Sequence, residues 1–494
     1  MDNSEKVVVV GSGIAGMCTA LAMARKNMSV TVLERDSEPP EGDAEKAFFE
    51  WPRRGASQFR HPHAFLGLMC NLLQDNYPDL LEAFYAAGAR RVDYREMLPA
   101  ELEDKYEPAP GDEKLFVLMC RRATIETVMR RFVAGLPNIT FVNNISIDGL
   151  VTEHTNTGLA VRGLKVRRDC VDVHGAEILG DIIVDASGRN THFPRWLAAA
   201  GPSIIEENDN AEIIYYTRHY KFRPGFSEPS RHAEDRSSGD LGYIKYGVFP
   251  GDNASFAIIV CLHKVEKDLH EAIKDSDTFD AVCRSIPGLT PWLTPGQVDA
   301  TTDSFGMADI RAVWRHYVVD GKPIAQNIFA VGDAAIRTNP LYGRGCSTGI
   351  LHAHILADTV SEIQDPVARA LAFSGRSEEA IRPIFEASLT EDKNGIRRSL
   401  ASAEGRLHEK PKNFKQKFGL AFGDALMAAA RYNLRVNRGF MRTVNLLEKP
   451  GEFLQDRRTR LIVMFYMLRG RSRNALARNQ RGPTRDEMLS LTRQ

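Results

Sequence analysis

The chain has 494 residues, of which 43% are hydrophobic and 26% are charged, and its formal net charge at pH 7 is zero. This composition excludes a disordered chain and a bundle of membrane spans. The zero net charge gives no global field that would attract nucleic acid. We therefore expect a soluble globular protein of about three domains, with no nucleic-acid partner.

The charge is unevenly distributed along the chain. From residue 396 onward there are 22 Lys and Arg against 8 Asp and Glu, so the remainder of the chain is correspondingly acidic. Such a basic C-terminal segment could contact anionic lipid, a carrier protein or an acidic substrate. The alternative is a solvated helical face that only neutralises the acidic remainder.

Cysteine usage and apolar runs bear on the compartment. The seven cysteines contain no CxxC pair, which favours free thiols in a reducing compartment over disulfides or a metal site. The N-terminus lacks a signal-peptide pattern. The longest apolar run, residues 461–468, is far shorter than the roughly 20 residues of a membrane span, and it predicts a buried or interfacial helix. We expect a cytoplasmic protein, with peripheral membrane contact left open.

The first 34 residues predict a βαβ unit. A run of valines at residues 6–10 indicates a buried strand, GSGIAG and an Ala-rich helical segment follow, and a second strand ends on Glu34. Gly11 permits a tight turn, Gly13 lets the backbone approach a pyrophosphate, and Gly16 allows close packing of helix and strand. Glu34 is placed to accept hydrogen bonds from a ribose, which favours FAD or NAD over NADP.

The middle of the chain alternates strands and helices. The pattern predicts a surface loop at residues 37–43, a helix after Ala64, a strand at 115–120 and a helix at 124–134. Four further segments predict a small meander that leads back to the core sheet, namely residues 140–143, 158–168, 171–178 and 181–185.

A second sheet is predicted from the β-type alternation of residues 213–250 and 254–262. Its tyrosines either line a substrate pocket or fill the core of this sheet. They are Tyr215, Tyr216, Tyr220, Tyr243 and Tyr246.

The last part of the chain begins with a second candidate cofactor segment. A buried strand at residues 327–331 delivers Asp333 at its carboxyl end, where it could hold ribityl hydroxyls. Pro340, Gly343 and Gly345 precede a helix at 346–361 whose N-terminal dipole could face a flavin. After about residue 373 the sequence predicts Arg-rich helices broken by Pro383, Pro411 and Pro450.

We therefore predict an α/β fold with a Rossmann-like FAD-binding domain built from discontinuous segments, an inserted β-sheet substrate domain and a helical C-terminal extension. The predicted ranges are 1–90, 113–200 and 301–370 for the FAD-binding domain, 91–112 and 201–300 for the β-rich domain, and 371–494 for the basic helical region.

Four segments together closely resemble the FAD-dependent monooxygenases of the aromatic-hydroxylase superfamily, the p-hydroxybenzoate hydroxylase-like proteins. They are the glycine-rich turn, RRGASQFRHPHAFL at 53–66, VDASGRNTHFPRWL at 184–197 and NIFAVGDAAIRTNPLYGRGCSTG at 327–349. The resemblance covers roughly residues 5–360. Flavin-dependent halogenases and geranylgeranyl reductases are related to this superfamily, but GYIKYGVFP at 242–250 lacks the tryptophans of the halogenase motif.

The resemblance implies specific roles. Asp185 lies near the pyrophosphate, Gly332 and Asp333 form the family's GD motif, Arg122 contacts FAD, and Gln58 belongs to a Q-G-R-H-x-H pattern in which Phe59 replaces the glycine. The predicted cofactor-binding residues are Gly11, Gly13, Ile14, Ala15, Gly16, Glu34, Arg35, Arg54, Gln58, Arg122, Asp185, Gly332, Asp333, Pro340, Gly343 and Gly345.

Three departures from the family pattern alter the flavin-facing segment. Ile336 and Ser347 replace a histidine and an asparagine that are common in the family, and Arg344 separates two glycines. Cys346, in the same loop, is interpreted as a packing residue rather than a reactive thiol.

The implied reaction is hydroxylation or epoxidation of an apolar, aromatic or polycyclic small molecule, in which oxygen passes from a flavin C4a-hydroperoxide to the substrate. The partners are then that substrate, molecular oxygen, and either NAD(P)H or a separate flavin reductase. His61 and His63 are the catalytic candidates, as hydrogen-bonding groups or a base, although they could equally structure their loop. No metal is expected. The alternatives are an FAD-dependent dehydrogenase or reductase without oxygen insertion, and a flavoprotein that acts on a carrier-bound or protein partner.

Overall fold

The computed structural model describes residues 5–231, 235–406, 410–475, 477 and 481–493. The strands before residue 200 are β1 (Lys6–Val10), β2 (Ser29–Leu33), β3 (Ala64–Phe65), β4 (Arg90–Asp93), β5 (Phe116–Met119), β6 (Ile139–Val142), β7 (Ile147–Thr155), β8 (Gly158–Val166), β9 (Glu177–Leu179) and β10 (Ile182–Asp185). Those after residue 200 are β11 (Ile205–Asn210), β12 (Ile213–Phe222), β13 (Ser238–Asp240), β14 (Ile244–Pro250), β15 (Ser255–His263), β16 (Val298–Ala300), β17 (Phe305–Met307), β18 (Arg311–His316), β19 (Val318–Val319), β20 (Lys322–Pro323), β21 (Ile328–Ala330) and β22 (Ile336–Arg337).

The helices follow the same numbering along the chain. They are α1 (Ile14–Arg25), α2 (Ala44–Glu50), α3 (Gly67–Asn76), α4 (Pro78–Ala86), α5 (Ala100–Glu103), α6 (Arg122–Ala134), α7 (Val171–His174), α8 (Phe193–Ala199), α9 (Lys267–Ala272), α10 (Ser276–Arg284), α11 (Gly345–Glu362), α12 (Pro366–Ala403), α13 (Phe414–Tyr432), α14 (Leu434–Val444), α15 (Arg457–Leu468), α16 (Arg471–Ala475) and α17 (Arg485–Leu491).

A five-stranded parallel sheet in the order β21-β10-β1-β2-β6 forms the centre of the first domain. Its strands come from three distant parts of the chain, as predicted for a domain of discontinuous segments. One large core is formed around α1 together with α3, α6 and α11. In α1, ten of the eleven residues from Ile14 to Ala24 are buried, and Ala15 is the exception. Because both faces of β1 are covered, its three central valines are fully enclosed, which explains the continuous apolar run. The predicted α/β fold is confirmed.

The second sheet has six antiparallel strands in the order β13-β14-β15-β12-β16, with β17 also paired to β12. Its strand β15 is buried at every residue. Four of the predicted tyrosines, Tyr216, Tyr220, Tyr243 and Tyr246, pack with α9, α10 and α17 in the core behind this sheet. Only Tyr215 of the five turns toward the cavity described below.

Smaller sheets connect the two large ones. The predicted meander is correct only in part. Residues 158–166 form β8, which pairs with β7 and β9, and residues 182–185 form β10 of the core sheet. Residues 139–142 instead form β6 of the parallel sheet, and residues 171–174 fold as the single-turn helix α7.

The sheet β3-β5-β4 contains residues 90–93. Residues 91–93, which were predicted to belong to the β-rich domain, therefore pair with β5, next to the first core. At the other boundary, residues 305–307 pair with the six-stranded sheet.

The C-terminal helices differ from the prediction at one proline. Pro383 does not break the helix, because it lies inside α12, which is continuous over 38 residues. The missing N–H removes one helical hydrogen bond, but Ile381, Ile384 and Phe385 around it are buried against the rest of the molecule, and this packing maintains the helix.

The remaining helices do not form a separate tail. Helices α13 to α15 form their own small core and contact residues 94–112, where Tyr94 donates to Asn437 across 2.8 Å and Arg438 pairs with Asp112. Helix α17 packs on the six-stranded sheet through the buried Met488. Within the part of the chain that the structure describes, no helix combines the length and apolar content needed to cross a bilayer.

Candidate functional site

The turn between β1 and α1 has the geometry that its glycines require. Gly11 has φ +104°, and a Cβ there would lie 2.6 Å from the carbonyl oxygen of Ala186. A Cβ on Gly16 would lie 1.9 Å from the Gly11 oxygen, so this glycine allows the close approach of helix and strand. A Cβ on Gly13 would meet nothing within 4 Å, since this position faces an open cavity. The N-terminal N–H groups of α1 point toward the same space.

That cavity has a volume of about 360 Å³ and lies between the two large sheets. Most of the residues predicted from the sequence line it. These residues are Gly11, Gly13, Ile14, Ala15, Glu34, Arg35, Gln58, His61, His63, Arg122, Gly332, Asp333, Pro340, Gly343 and Gly345.

Three predicted residues do not line the cavity. Gly16 lies one layer behind the turn, and Arg54 is exposed to solvent. Asp185 is fully buried and accepts hydrogen bonds from the backbone and hydroxyl of Ser187 and from the hydroxyl of Thr191, at 2.5 to 3.0 Å. Asp185 therefore shapes the loop after β10, and residues 186–190 of that loop contact the cavity in its place.

Glu34 is held in a buried ionic network at the end of β2. Its carboxylate accepts from the backbone and hydroxyl of Ser12, and Nη1 of Arg53 lies 3.1 Å away. Burial by itself opposes ionisation, but Arg53, the Asp36 N–H and Ser12 together lower the pKa of Glu34 to about 2. The carboxylate is therefore ionised at neutral pH, as hydrogen bonding to ribose hydroxyls requires.

Arg53, rather than the neighbouring Arg54, is the arginine of this site. Its side chain is buried, pairs with Glu34, Asp36 and Glu126, and stacks over Trp51. The sequence RRG alone does not distinguish the two arginines. In the structure Trp51 and Arg53 are buried, whereas Pro52 and Arg54 are exposed.

Asp333 lies where β21 ends, in a short turn that precedes β22. Among the described residues none donates a hydrogen bond to its carboxyl group, which faces the cavity. Burial raises the pKa of Asp333 above its usual range, while the guanidinium groups of Arg337 and Arg122 oppose that rise. A Cβ on Gly345, the first residue of α11, would lie 3.8 Å from its Oδ1. The carboxyl group and the N-terminus of α11 thus share one end of the cavity.

The loop before α11 is held in place by hydrogen bonds and an ion pair to α12. Arg344 turns away from the cavity, donates to Ser388 across 2.6 Å and pairs with Glu391 on α12. Asn339 and Tyr342 both donate to Asp392. This explains how an arginine is accommodated between Gly343 and Gly345.

The two candidate histidines are neutral. Burial, followed by the charge of Arg122, lowers the pKa of His63 to about 3, and burial lowers that of His61 to about 3. His61 Nδ1 lies 2.9 Å from the hydroxyl of Thr217, and His63 Nδ1 lies 2.8 Å from the carbonyl oxygen of His61. The near-neutral pKa that a histidine base would need is therefore not found, and both rings act as hydrogen-bonding groups. Burial likewise raises the pKa of Cys346 to about 11, which disfavours a reactive thiolate.

The far wall of the cavity belongs to the second sheet and its neighbours. It is apolar and partly aromatic, and it consists of Tyr215, Phe249, Ile259, Met307, Ile310 and Leu341. Arg189 and Arg337, which sequence patterns did not indicate as cavity residues, lie beside this wall, and Nε of Arg189 is buried without a hydrogen-bond partner among the described residues. The described residues contain no cluster of three or more metal-ligating side chains.

Comparisons with known proteins agree with this geometry. A model of the FAD dependent oxidoreductase family matches residues 6–135. Residues 6–135 are an FAD-dependent oxidoreductase domain. Protein Rv3254 of Mycobacterium tuberculosis is 29% identical to this chain over 376 residues, which are 71% of each protein.

Two solved structures share the fold of this chain over most of its length. The flavin-dependent brominase Bmp2 has a TM-score of 0.59 at 17% identity and covers 95% of this chain and 100% of its own. PqsL of Pseudomonas aeruginosa, described as a probable FAD-dependent monooxygenase, has a TM-score of 0.54 at 15% identity and covers 81% of this chain and 96% of its own. At these identities the likeness establishes the fold.

The residues of the cavity fit FAD. Gly13 leaves open the cradle that a side chain would fill, the N-terminus of α1 suits a diphosphate, and the carboxyl group of Asp333 faces the cavity without a hydrogen-bond donor in the described chain. Glu34, Asp333 and the N-terminus of α11 supply the acceptors and donors that an extended dinucleotide requires at both ends.

Proposed function

We propose that this chain is an FAD-dependent monooxygenase that hydroxylates or epoxidises an apolar small molecule. The observation that carries the proposal is one continuous cavity that extends from the dinucleotide turn at Gly13 to the apolar wall around Tyr215 and Phe249. The apolar wall suits an apolar substrate placed beside the flavin. The description of PqsL as a probable monooxygenase supports the same choice.

In this proposal Gly11, Gly13 and Glu34 hold the adenine side of FAD, and Asp333 with the loop at Pro340–Tyr342 holds its other side. Bound FAD supplies the redox and oxygen chemistry. The protein must orient the substrate and exclude water, since bulk water would hydrolyse or discharge reactive species. The rings of Tyr215 and Phe249 provide apolar surface for this purpose. The hydroxyl of Tyr215 donates to Sδ of Met307 across 2.7 Å.

Proton transfer is not assigned to a histidine. His63 is engaged on both ring nitrogens, by the carbonyl of His61 and by Arg122, and His61 is neutral in a buried aromatic contact with Tyr215. We propose that His63 fixes the shape of the cavity wall, and that Nε2 of His61, whose Nδ1 is bonded to Thr217, forms a hydrogen bond with flavin or substrate without a change of charge.

The test uses purified protein reconstituted with FAD. The visible flavin spectrum is recorded first, and then NADH and NADPH oxidation is measured with a panel of apolar phenols and polycyclic compounds under isotopically labelled dioxygen. Incorporation of one labelled oxygen atom into a product supports the proposal. A product oxidised by two electrons without label identifies a dehydrogenase, and flavin reduction only after addition of a separate reductase identifies the electron donor.

A matched pair of variants connects activity to the cavity wall. Phe249→Ala removes a ring from the cavity wall, so it should weaken contact with the substrate and raise KM. Phe226→Ala, at an exposed phenylalanine of the same domain, should leave KM unchanged. Equal KM values for both variants would place the substrate elsewhere.

A further inference from the structure

Helix α15 has two apolar faces, and one of them lacks a partner in the described chain. Toward the protein it buries Thr459 and Val463, with Ile462, Tyr466 and Met467 partly covered. On the opposite side Leu461, Met464, Phe465 and Leu468 are exposed by 53% to 87%. These four follow the i, i+3, i+4, i+7 spacing, so they form one stripe on a helix of about 3.6 residues per turn. We call this stripe, with the arginines described next, the α15 face.

Arginines border the stripe on both sides. At about 100° per residue, Arg458 and Arg469 lie on one flank of the stripe, Arg460 lies on the other, and Arg457 lies in line with it. All four are exposed, and no carboxylate among the described residues forms an ion pair with them. The nearest acidic group, Asp456, caps α15 and pairs with Arg435.

Helix α13, which packs beside α15, carries further exposed apolar residues. Arg435, just after α13, pairs with Asp456 at the start of α15, and Asp424, in the middle of α13, pairs with Arg471, just after α15, so the two helices run antiparallel. The N-terminal turns of α13 therefore lie at the same end of the pair as Leu468. They carry two more exposed aromatic residues, Phe414 and Phe418, beside Lys415 and Lys417.

We propose that the α15 face docks this protein onto the surface of an anionic lipid bilayer. An apolar stripe flanked by arginines is the arrangement in which apolar side chains enter the acyl boundary while the guanidinium groups reach the headgroups. Unpaired positive charge is complementary to anionic lipid. A second copy of the chain fits less well, because a two-fold interface would bring two arginine-bordered stripes together, and residues 457–469 contain no carboxylate to pair with those arginines. The face lies on helices remote from the cavity residues, so it is independent of the proposed reaction.

The experiment is cosedimentation of the full chain with vesicles of phosphatidylcholine alone or mixed with phosphatidylglycerol. Binding to the anionic vesicles is expected, and it should weaken as salt is raised. Leu461→Ser combined with Phe465→Ser should reduce the vesicle partition coefficient at least tenfold, which is about 1.4 kcal/mol. Arg458→Gln combined with Arg469→Gln should reduce it about fivefold for each arginine on anionic vesicles only.

The control is Val173→Ser combined with Leu179→Ser, at two apolar residues that are equally exposed on the β7-β8-β9 side. This control should bind as the parent does. The proposal is overturned if the parent chain does not bind anionic vesicles, if it binds neutral vesicles equally well, or if all variants bind alike. If the parent is a dimer in sedimentation velocity, the variant with Leu461→Ser and Phe465→Ser is a monomer, and neither binds vesicles, the occupant is a second copy of the chain. That result would also overturn the proposal.

Discussion

Nη1 of Arg122 donates to Nε2 of His63 across 3.2 Å, and this contact fixes the ring in one state. An arginine can only donate, so Nε2 must be unprotonated and Nδ1 must carry the proton that it gives to the carbonyl oxygen of His61. Protonation of Nε2 would place two positive groups in contact inside the cavity wall. The ring is therefore neutral in the folded protein.

This neutrality predicts a pH dependence of stability. The pKa of His63 is about 3 in the folded state against 6.5 for an ordinary histidine, so below about pH 6.5 the unfolded chain binds a proton that the folded chain does not. The free energy of unfolding should fall as pH decreases from about 6.5 toward 3, by up to about 1.4 kcal/mol per pH unit for each such histidine. His63→Gln should reduce that slope in urea titrations, and His154→Gln, at an exposed strand residue, should not.

Glu34 predicts a dependence in a more acidic window. Its pKa is about 2 in the folded state against 4.5 for an ordinary glutamate, so its stabilisation is complete above about pH 4.5 and is lost as pH falls toward 2. Glu34→Gln should lower the free energy of unfolding at neutral pH by on the order of 3 kcal/mol, a deficit that disappears in acid. Asp299→Asn removes an exposed pair with Arg223 and should have little effect. A deficit that is constant with pH would show that Glu34 acts by packing rather than by charge.

Gly13 predicts loss of cofactor without loss of fold. A valine there would project into open cavity, so Gly13→Val should reduce FAD affinity at least tenfold, or about 1.4 kcal/mol, while the thermal midpoint of the apoprotein stays unchanged. Gly375→Ala, where a Cβ is also free of contacts, is the matched control and should retain FAD. Fluorescence of released flavin measures the affinity. Parent-like affinity in Gly13→Val would mean that the diphosphate does not approach this turn.

Met488 predicts that the end of the chain stabilises the second sheet. It is 1% exposed and packs in the core behind that sheet, so Met488→Ala should lower the free energy of unfolding by about 2–5 kcal/mol. Met464→Ala, at an exposed methionine of α15, should change it little. Urea denaturation of the two variants gives the comparison. Similar values for both would mean that α17 contributes no stability to this sheet.

Sequence patterns predicted the parallel sheet well because its determinants are local. The valine run of β1 and the spacing of Gly11, Gly13 and Gly16 each specify a backbone geometry on their own. The same holds for Asp333, which directly follows a buried strand.

The features that sequence patterns did not predict depend on contacts between distant parts of the chain. Pro383 predicts a helix break by local rules, but burial on both sides of it maintains one helix. Arg53 and Arg54 are chemically equal in sequence, and only the carboxylates of Glu34 and Glu126, far apart along the chain, distinguish them. The roles of Tyr215 and Tyr216 differ because adjacent residues of a strand face opposite sides of the sheet.

The continuous helix α12 joins parts of the molecule that would otherwise move separately. Arg344 and Asn339 attach the cavity loop to its middle, Arg382 attaches to Glu207 of β11, and farther along Arg398 and Ser399 attach to Asp240 and Gly242 of the second sheet. The helix therefore connects the two walls of the cavity, so that a ligand that displaces the loop must also shift the sheet that forms the opposite wall. Pro383, where one hydrogen bond of the helix is missing, is the point at which α12 bends most easily.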